Sequence, residues 1–327
     1  MTASPNRLRL DGAALADNWR TLAAMSGLAA CGAAIKADGY GLGAAGVVRR
    51  LAKAGCRDFF VSTWREAETL AELGVTVSVL HGVRDEDMTE AGTGYARPVL
   101  NTAAQVARWR IMGSLPCDVM VDTGMNRLGV SVAEVRGGLL DGLEIETLMS
   151  HLACADEDSA MNGRQRQAFA ELAGVTAARR MSLANSGGIG LGADYAFDLT
   201  RPGIALYGGI PRGEFAGKIA LVATPQAQIL QRRRVRAGES IGYGASWVAP
   251  ADTEVAILNI GYADGYWRGF SSGGAAHAAG VELPLLGRVS MDLIAVDIGL
   301  AAEMREGDWI DIAYDLPVAS ERSGMSQ

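Results

Sequence analysis

Histidine, cysteine and unbroken apolar sequence are scarce in this chain, and each shortage closes a route. Of 327 residues only His81, His151 and His277 are histidines, and only Cys31, Cys56, Cys117 and Cys154 are cysteines. The cysteines are scattered, with none of the paired spacing that a zinc site uses, so reduced thiols in a cytosol are expected and no metal is. No run reaches the roughly 20 apolar residues of a membrane span, and the amino terminus MTASPNRLRLDG lacks an apolar signal core. A cytoplasmic protein without a membrane partner follows as the expectation. Cationic excess is missing too. The net charge of -7 argues against nucleic acid, whose phosphates need clustered cations. The one basic run, residues 231–236, reads as the solvated face of a strand. No tandem repeat is present, and the single low-complexity patch, residues 271–280, reads as an exposed loop.

What the chain does have is core material and a regular alternation. Apolar residues make up 49% and charged residues 20%, enough for packed cores, and the length suits a large barrel plus a smaller domain. From residue 7 to about 210, short apolar runs (DFFVS, VSVLHG, RPVL, CDVMVD, IETLMSHLA) alternate with helical stretches such as ALADNWRTLAAM and TAAQVARWRIM. That pattern indicates parallel βαβ units, and so many in about 200 residues fit a closed barrel better than an open doubly wound sheet. Beyond about residue 220 strand-like runs take over. The expected class is therefore α/β, with an N-terminal (β/α)8 TIM-like barrel over residues 1–220 and a mainly β C-terminal domain over 221–327.

The stretch AAIKADGYGLG, residues 33–43, places one lysine where a buried strand (28–37) hands over to a glycine-rich turn and a helix (44–54). A lysine at a strand end is ordinarily a solvated cation. At the catalytic rim of a barrel it can instead be a covalent catalyst. Gly41-x-Gly43-x-x-Gly46, with Glu66 some twenty residues on, also has the outline of a dinucleotide fingerprint and alone would support a dehydrogenase.

Further segments decide between these readings: DTGMNRLGV at 122–130, SHLACADE at 150–157, SLANSGGIG at 182–190, DLTRPGIALYG at 198–208, IGYGASW at 241–247, IGYADGY at 260–266 and GRVSMD at 287–292. In this order, and through almost the whole chain, they resemble the alanine racemase family of fold-type III pyridoxal-phosphate enzymes. The resemblance implies an amino-acid racemase that interconverts L-alanine and D-alanine through a pyridoxal 5'-phosphate aldimine, supplying D-alanine for peptidoglycan, as a homodimer with shared active sites.

Residue by residue, the resemblance implies that Lys36 carries the cofactor as a Schiff base and is the base on one face of the substrate α-carbon. Tyr243 of the partner is implied as the base on the other face, with His151 hydrogen-bonded to it. A free tyrosine keeps its proton up to about pH 10, so it needs such help. Arg201 matches the arginine facing the pyridine nitrogen. A guanidinium does not surrender its proton, which leaves that nitrogen unprotonated. Tyr40, Ser186, Gly203 and Ile204 are implied to hold the phosphate, with Asn185 adjacent. Arg127 matches the arginine near the cofactor phenolic oxygen and the substrate carboxylate, Met291 and Asp292 match elements reaching the partner's site, and Tyr262, Arg288 and Asp156 match the access corridor.

The chain departs from the family pattern at three places. Many members carry a carbamylated lysine two residues before the DTGM aspartate, where this chain has Met120, so Arg127 needs another orienting partner. Ser182 stands where a histidine often supports the arginine matched by Arg201. The chain stops at Gln327 where the family usually continues into a Tyr-Glu segment, which leads to the expectation of a missing last strand, weak cofactor binding and poor catalysis. Rival readings are a serine or broad-specificity racemase of the same family, a single-domain pyridoxal-phosphate homeostasis protein, which would lack the domain bearing Tyr243, and last the dehydrogenase.

Overall fold

A computed structural model describes residues 4–113 and 115–323. The apolar runs of the N-terminal two-thirds become eight short parallel strands: Ala30–Cys31 continued by Ala33–Ala34, then Asp58–Val61, Thr76–Val79, Arg97–Leu100, Cys117–Asp122, Ile145–Met149, Arg180–Ser182 and Leu199–Thr200. Parallel pairing runs in chain order from the first strand to the seventh. The ring then closes, because Leu199 and Thr200 pair with Ala30 and Cys31, while the Asp198 and Arg201 amides donate to Met181 and Ala184 at 3.0 and 2.8 Å. This is a barrel and not an open sheet.

The first strand is interrupted, and not continuous over 28–37 as its apolar composition suggests. At Gly32 the chain bends between two ladders, and an added Cβ there would lie 2.9 Å from both the Asp58 carbonyl and the Phe60 ring. Inside the barrel, Phe60, Val99, Met120, Met149 and Leu199 form one apolar layer. A polar layer toward the strand starts holds Ser78 bonded to the buried Asp118 at 2.6 Å and Arg180 bonded to Asp58 at 2.7 Å. Helices cover the outside, among them Ala44–Ala54, Ala103–Arg110 and Ala160–Ala170. The helix Gly12–Met25 completes the jacket, with buried Asn18 bonding the Leu206 and Ala220 carbonyls.

The second unit is a seven-stranded sheet, antiparallel throughout, built from Asn6–Leu10, Ala223–Val235, Thr253–Leu258, Ala275–Ala278, Val281–Leu286, Ile294–Asp297 and Trp309–Ile312. Its core gathers Ile229, Leu258, Tyr266, Leu283, Val296 and Ile310. Two features correct the expectations. Residues 6–10 belong here, paired with 223–227, and not to the barrel. Leu8 and Leu10 lie on this edge half exposed, while Arg7 stacks over Trp309 and bonds Gln226. The low-complexity patch is loop only in part: within it Ala275–Ala278 is a strand that forms a hairpin with Val281–Leu286, the two connecting residues, Ala279 and Gly280, both left-handed at φ 50° and 81°. The basic run does lie on a strand, but on both of its faces: Arg232, near Glu254, and Arg234, bonded to Asp252, share one face, Arg233 is on the other, and Arg236 lies beyond the strand's end. Residues 324–327, part of the expectation about the chain's end, lie outside the described residues.

Candidate active site

Parallel strands deliver their C-terminal ends to one rim, and the rim here is basic. Lys36 follows the first strand, Arg127 the fifth, His151 the sixth and Arg201 the eighth. Loss of solvent, and after it the nearby cations Arg201, Arg127 and Lys36, push the His151 imidazole from 6.5 down to about 3. His151 is therefore neutral at any physiological pH and free to exchange hydrogen bonds with a phenol. Its backbone is fixed by the buried Gln165 of helix Ala160–Ala170, which donates to the His151 carbonyl at 2.9 Å and to Thr123 at 3.3 Å and accepts from Ala153 at 2.8 Å.

Arg201 is buried, and its guanidinium donates to Ser182 Oγ and to the Ser150 carbonyl, the latter at 2.5 Å. Ser182 passes the bond on to the Leu199 carbonyl. Ser182 thus supplies the support that its substitution for histidine put in question. Burial lowers the Arg201 pKa to about 10, still far above neutrality, so the cation persists.

The turn after Lys36 is unusual. Ala37, Asp38, Gly39, Tyr40 and Gly41 all have positive φ, between 52° and 82°, a left-handed turn costing roughly 1–2 kcal/mol for each residue with a Cβ. It is held by Asp38 Oδ1, which accepts from the Ala44 amide at 2.7 Å, and by Glu66 Oε1, which accepts from the Ala37 amide at 2.7 Å. The dinucleotide outline dissolves here, since its acidic residue binds this turn, Gly41 and Gly43 shape a barrel loop and Gly46 lies in the helix that follows. The turn sets the Tyr40 ring on Tyr207 at 4.4 Å, and Tyr207 is anchored through its hydroxyl to the Ala34 carbonyl at 2.9 Å.

Opposite Tyr40 lies a small cradle. Ser186 Oγ accepts from the Gly203 and Ala205 amides at 2.9 and 3.2 Å. A Cβ built at Gly203 would fall 2.3 Å from the Tyr40 hydroxyl. Two hydroxyls and backbone amides at the start of the turn Ile204–Tyr207 fit a phosphate in size and polarity. Asn185 caps the helix Ser186–Gly190 by accepting from Gly188 at 2.9 Å, so its side-chain oxygen is committed to local structure.

Arg127 is exposed, in a loop shaped by Asp122, which accepts from the Gly124 and Asn126 amides. Among the described residues it makes no side-chain hydrogen bond or ion pair, and Met120 lies in the barrel's apolar layer. The remaining expected residues belong to the β unit. Tyr243 is 68% exposed, on a hairpin tip between Ser240–Ile241 and Trp247–Val248 where Gly242, Gly244 and Ala245 all have positive φ. Met291 and Asp292 are exposed, and the Met291 carbonyl accepts from Ala263 at 2.8 Å. Sequence reading gave no role to Gln165, whose side chain holds the His151 backbone, nor to Thr123 and Tyr207, which lie inside quoted motifs and support the site through a hydroxyl and a ring face.

Fold and site together define a barrel enzyme with a lysine just past the first strand and a small polar cradle beyond the ends of the seventh and eighth. Family models for the alanine racemase N-terminal and C-terminal domains match residues 10–211 and 222–320, and the chain belongs to the alanine racemase family. It is 42% identical to the catabolic alanine racemase of Agrobacterium fabrum over 310 residues, 90% of this chain and 80% of that protein. Against the biosynthetic alanine racemase of the same organism the identity is 37% over 337 residues, 94% and 85% of the two chains. The crystal structure of alanine racemase from Bartonella henselae with covalently bound pyridoxal phosphate superposes with a TM-score of 0.87 at 33% identity, covering 99% of this chain and 95% of that one.

Proposed function

We propose that this chain is a pyridoxal-phosphate-dependent racemase interconverting L- and D-alanine. The observation that carries the reading is the convergence of Lys36, Arg127 and Arg201 on a neutral His151, on the same rim as the Tyr40, Ser186 and Gly203 cradle. Pyridoxal phosphate, when bound, supplies an electron sink that makes the substrate α-proton acidic. Lys36 holds the cofactor covalently and afterwards carries a proton to or from one face of the α-carbon. Tyr40, Ser186 and the Gly203 and Ile204 amides bind the phosphate. Arg201, a persistent cation, would stand by the ring nitrogen of the bound cofactor and would disfavour its protonation. Arg127 receives the substrate carboxylate.

The second proton is handled by Tyr243 of a second copy of the chain, assisted by His151, and Met291 and Asp292 of that copy complete the substrate side. The exposure of Tyr243 on a tight, glycine-shaped tip supports this assignment, because a projecting phenol needs another surface to work against. The active unit is then a cytoplasmic homodimer with Asp156, Tyr262 and Arg288 along its access corridor. Supply of D-alanine for peptidoglycan is the proposed role. Catabolic and biosynthetic relatives match at similar identity, so growth of a D-alanine auxotroph on this gene is the measurement for that part.

The test of the chemistry is direct. Purified protein given pyridoxal phosphate and L-alanine should form D-alanine, and borohydride reduction should leave the label on Lys36. Label on another lysine with Lys36 untouched would end the proposal.

A further inference from the structure

The turn bearing Lys36 and Tyr40 is held partly by its own backbone, the Gly39, Gly41 and Gly43 amides donating to the Ile35, Ala37 and Asp38 carbonyls at 2.8, 2.8 and 2.9 Å, and partly from outside. Three of its five left-handed residues, Ala37, Asp38 and Tyr40, carry a Cβ and would by themselves favour other conformations, so an outside tie matters. Among the described residues the first amide of the turn, that of Ala37, meets no carbonyl. It meets the Glu66 carboxylate, 29 positions along the chain. The second Glu66 oxygen accepts from the Ser62 and Thr63 amides at 2.7 and 3.1 Å, just past the end of the neighbouring strand Asp58–Val61.

We propose that Glu66 is a positioning residue for the cofactor lysine, clamping the Lys36–Tyr40 turn to the mouth of the second barrel strand. The proposal rests on the reading of Lys36 as the cofactor-bearing residue. The clamp is mounted on rigid structure: helix Trp64–Glu68 starts with a reciprocal cap between Thr63 and Glu66, and its buried Trp64 donates to the Gly82 carbonyl at 2.8 Å. The adjoining strands are themselves tied by the Ile35 amide on the Phe60 carbonyl at 2.8 Å. Three N–H donors converge on one side chain, and only an acceptor-only group of this reach satisfies all of them. A glutamine must turn its own NH2 toward one of the donors. An aspartate keeps the acceptor chemistry and the cap but falls a methylene short of Ala37. Glu66 touches neither phosphate cradle nor His151, so its loss should be felt in capture of the cofactor and not in affinity for the amino acid.

The experiment compares wild type, Glu66→Gln, Glu66→Asp and Thr63→Ala, the last removing only the helix-side hydroxyl. Three quantities are read: the dissociation constant of pyridoxal phosphate for the apo-protein, deuterium uptake of the peptide spanning 36–41 in the apo-protein, and KM for alanine in the loaded enzyme. Both Glu66 variants should lose roughly ten- to hundredfold in cofactor affinity, the scale of one hydrogen bond to a charged acceptor, and should exchange faster at 36–41 with KM unchanged. Thr63→Ala should leave all three near wild type. Wild-type cofactor binding and exchange in both Glu66 variants would overturn the clamp. So would equal losses in Thr63→Ala, which would make helix capping the cause. Failure of the wild type to take up cofactor at Lys36 would instead sink the functional reading, and the exchange data would still decide on the clamp.

Discussion

At the scale of single residues, His151 offers the clearest link between charge and pH. Its pKa lies near 3 in the folded protein and near 6.5 when the chain is unfolded. Between these values the unfolded chain binds the extra proton. Stability from this group is therefore complete above about pH 6.5 and declines as pH falls toward 3, at up to roughly 1.4 kcal/mol per pH unit. Urea titrations at pH 7 and pH 5 should show a larger loss for wild type than for His151→Gln, and equal losses would contradict the buried neutral imidazole. Tyr243 carries a kinetic prediction: in the proposed mechanism each face has its own base, so Tyr243→Phe should slow α-proton exchange from L-alanine far more than from D-alanine. Isotope exchange in deuterated water, followed separately from each enantiomer, gives the answer, and symmetric losses would remove Tyr243 as a base for one face. Gly203→Ala tests the cradle. The new methyl falls on the Tyr40 hydroxyl and must tilt that ring off its stack on Tyr207, so cofactor affinity should fall roughly tenfold or more, read by titrating the apo-protein with pyridoxal phosphate.

Among the elements, what could be read from sequence depended on how the signal was encoded. Barrel strands covered on both faces are near-continuous apolar runs, and DFFV, RPVL and CDVMVD stand out for that reason. Helix Ala44–Ala54 fell where its apolar spacing put it. The patch at 271–280 hid a strand because its residues are alanine and glycine, and because the hairpin turns on Ala279-Gly280, a pair with none of the Asn-Gly signature such turns usually show. The break at Gly32 was equally silent, since it depends on a carbonyl and a ring from another strand. Filling that gap should be costly: Gly32→Ala must push the Asp58 backbone aside, and calorimetry should find a destabilisation of roughly 1–3 kcal/mol. In the site, motif residues such as Lys36 and Arg201 were visible through resemblance. Ser182 was visible only as a departure, and Glu66 only in a dinucleotide outline; their bonds to Arg201 and Ala37, like those of Gln165, depend on contacts that only the folded barrel brings together.

On the scale of the molecule, the connection of the two units matters more than their composition. The strand Asn6–Leu10 pairs with the start of Ala223–Val235, so the whole barrel is inserted between the first strand of the β unit and the rest of it. Removing residues 1–11 should uncover one edge of Ala223–Val235 and leave the barrel ladder intact, so limited proteolysis should cut faster within 223–323 than within 12–222. The same connectivity has a meaning in time. During synthesis the first strand emerges well before its pairing partner, and at roughly 5–20 residues per second the wait lasts about 10–40 s. An unpaired strand with two outward leucines is open to wrong partners for that interval. The barrel, whose ring closes within residues 30–201, can fold while the strand waits. Assembly of the polypeptide is thus ordered by its topology: Lys36 has its barrel before the unit bearing Tyr243 has its sheet.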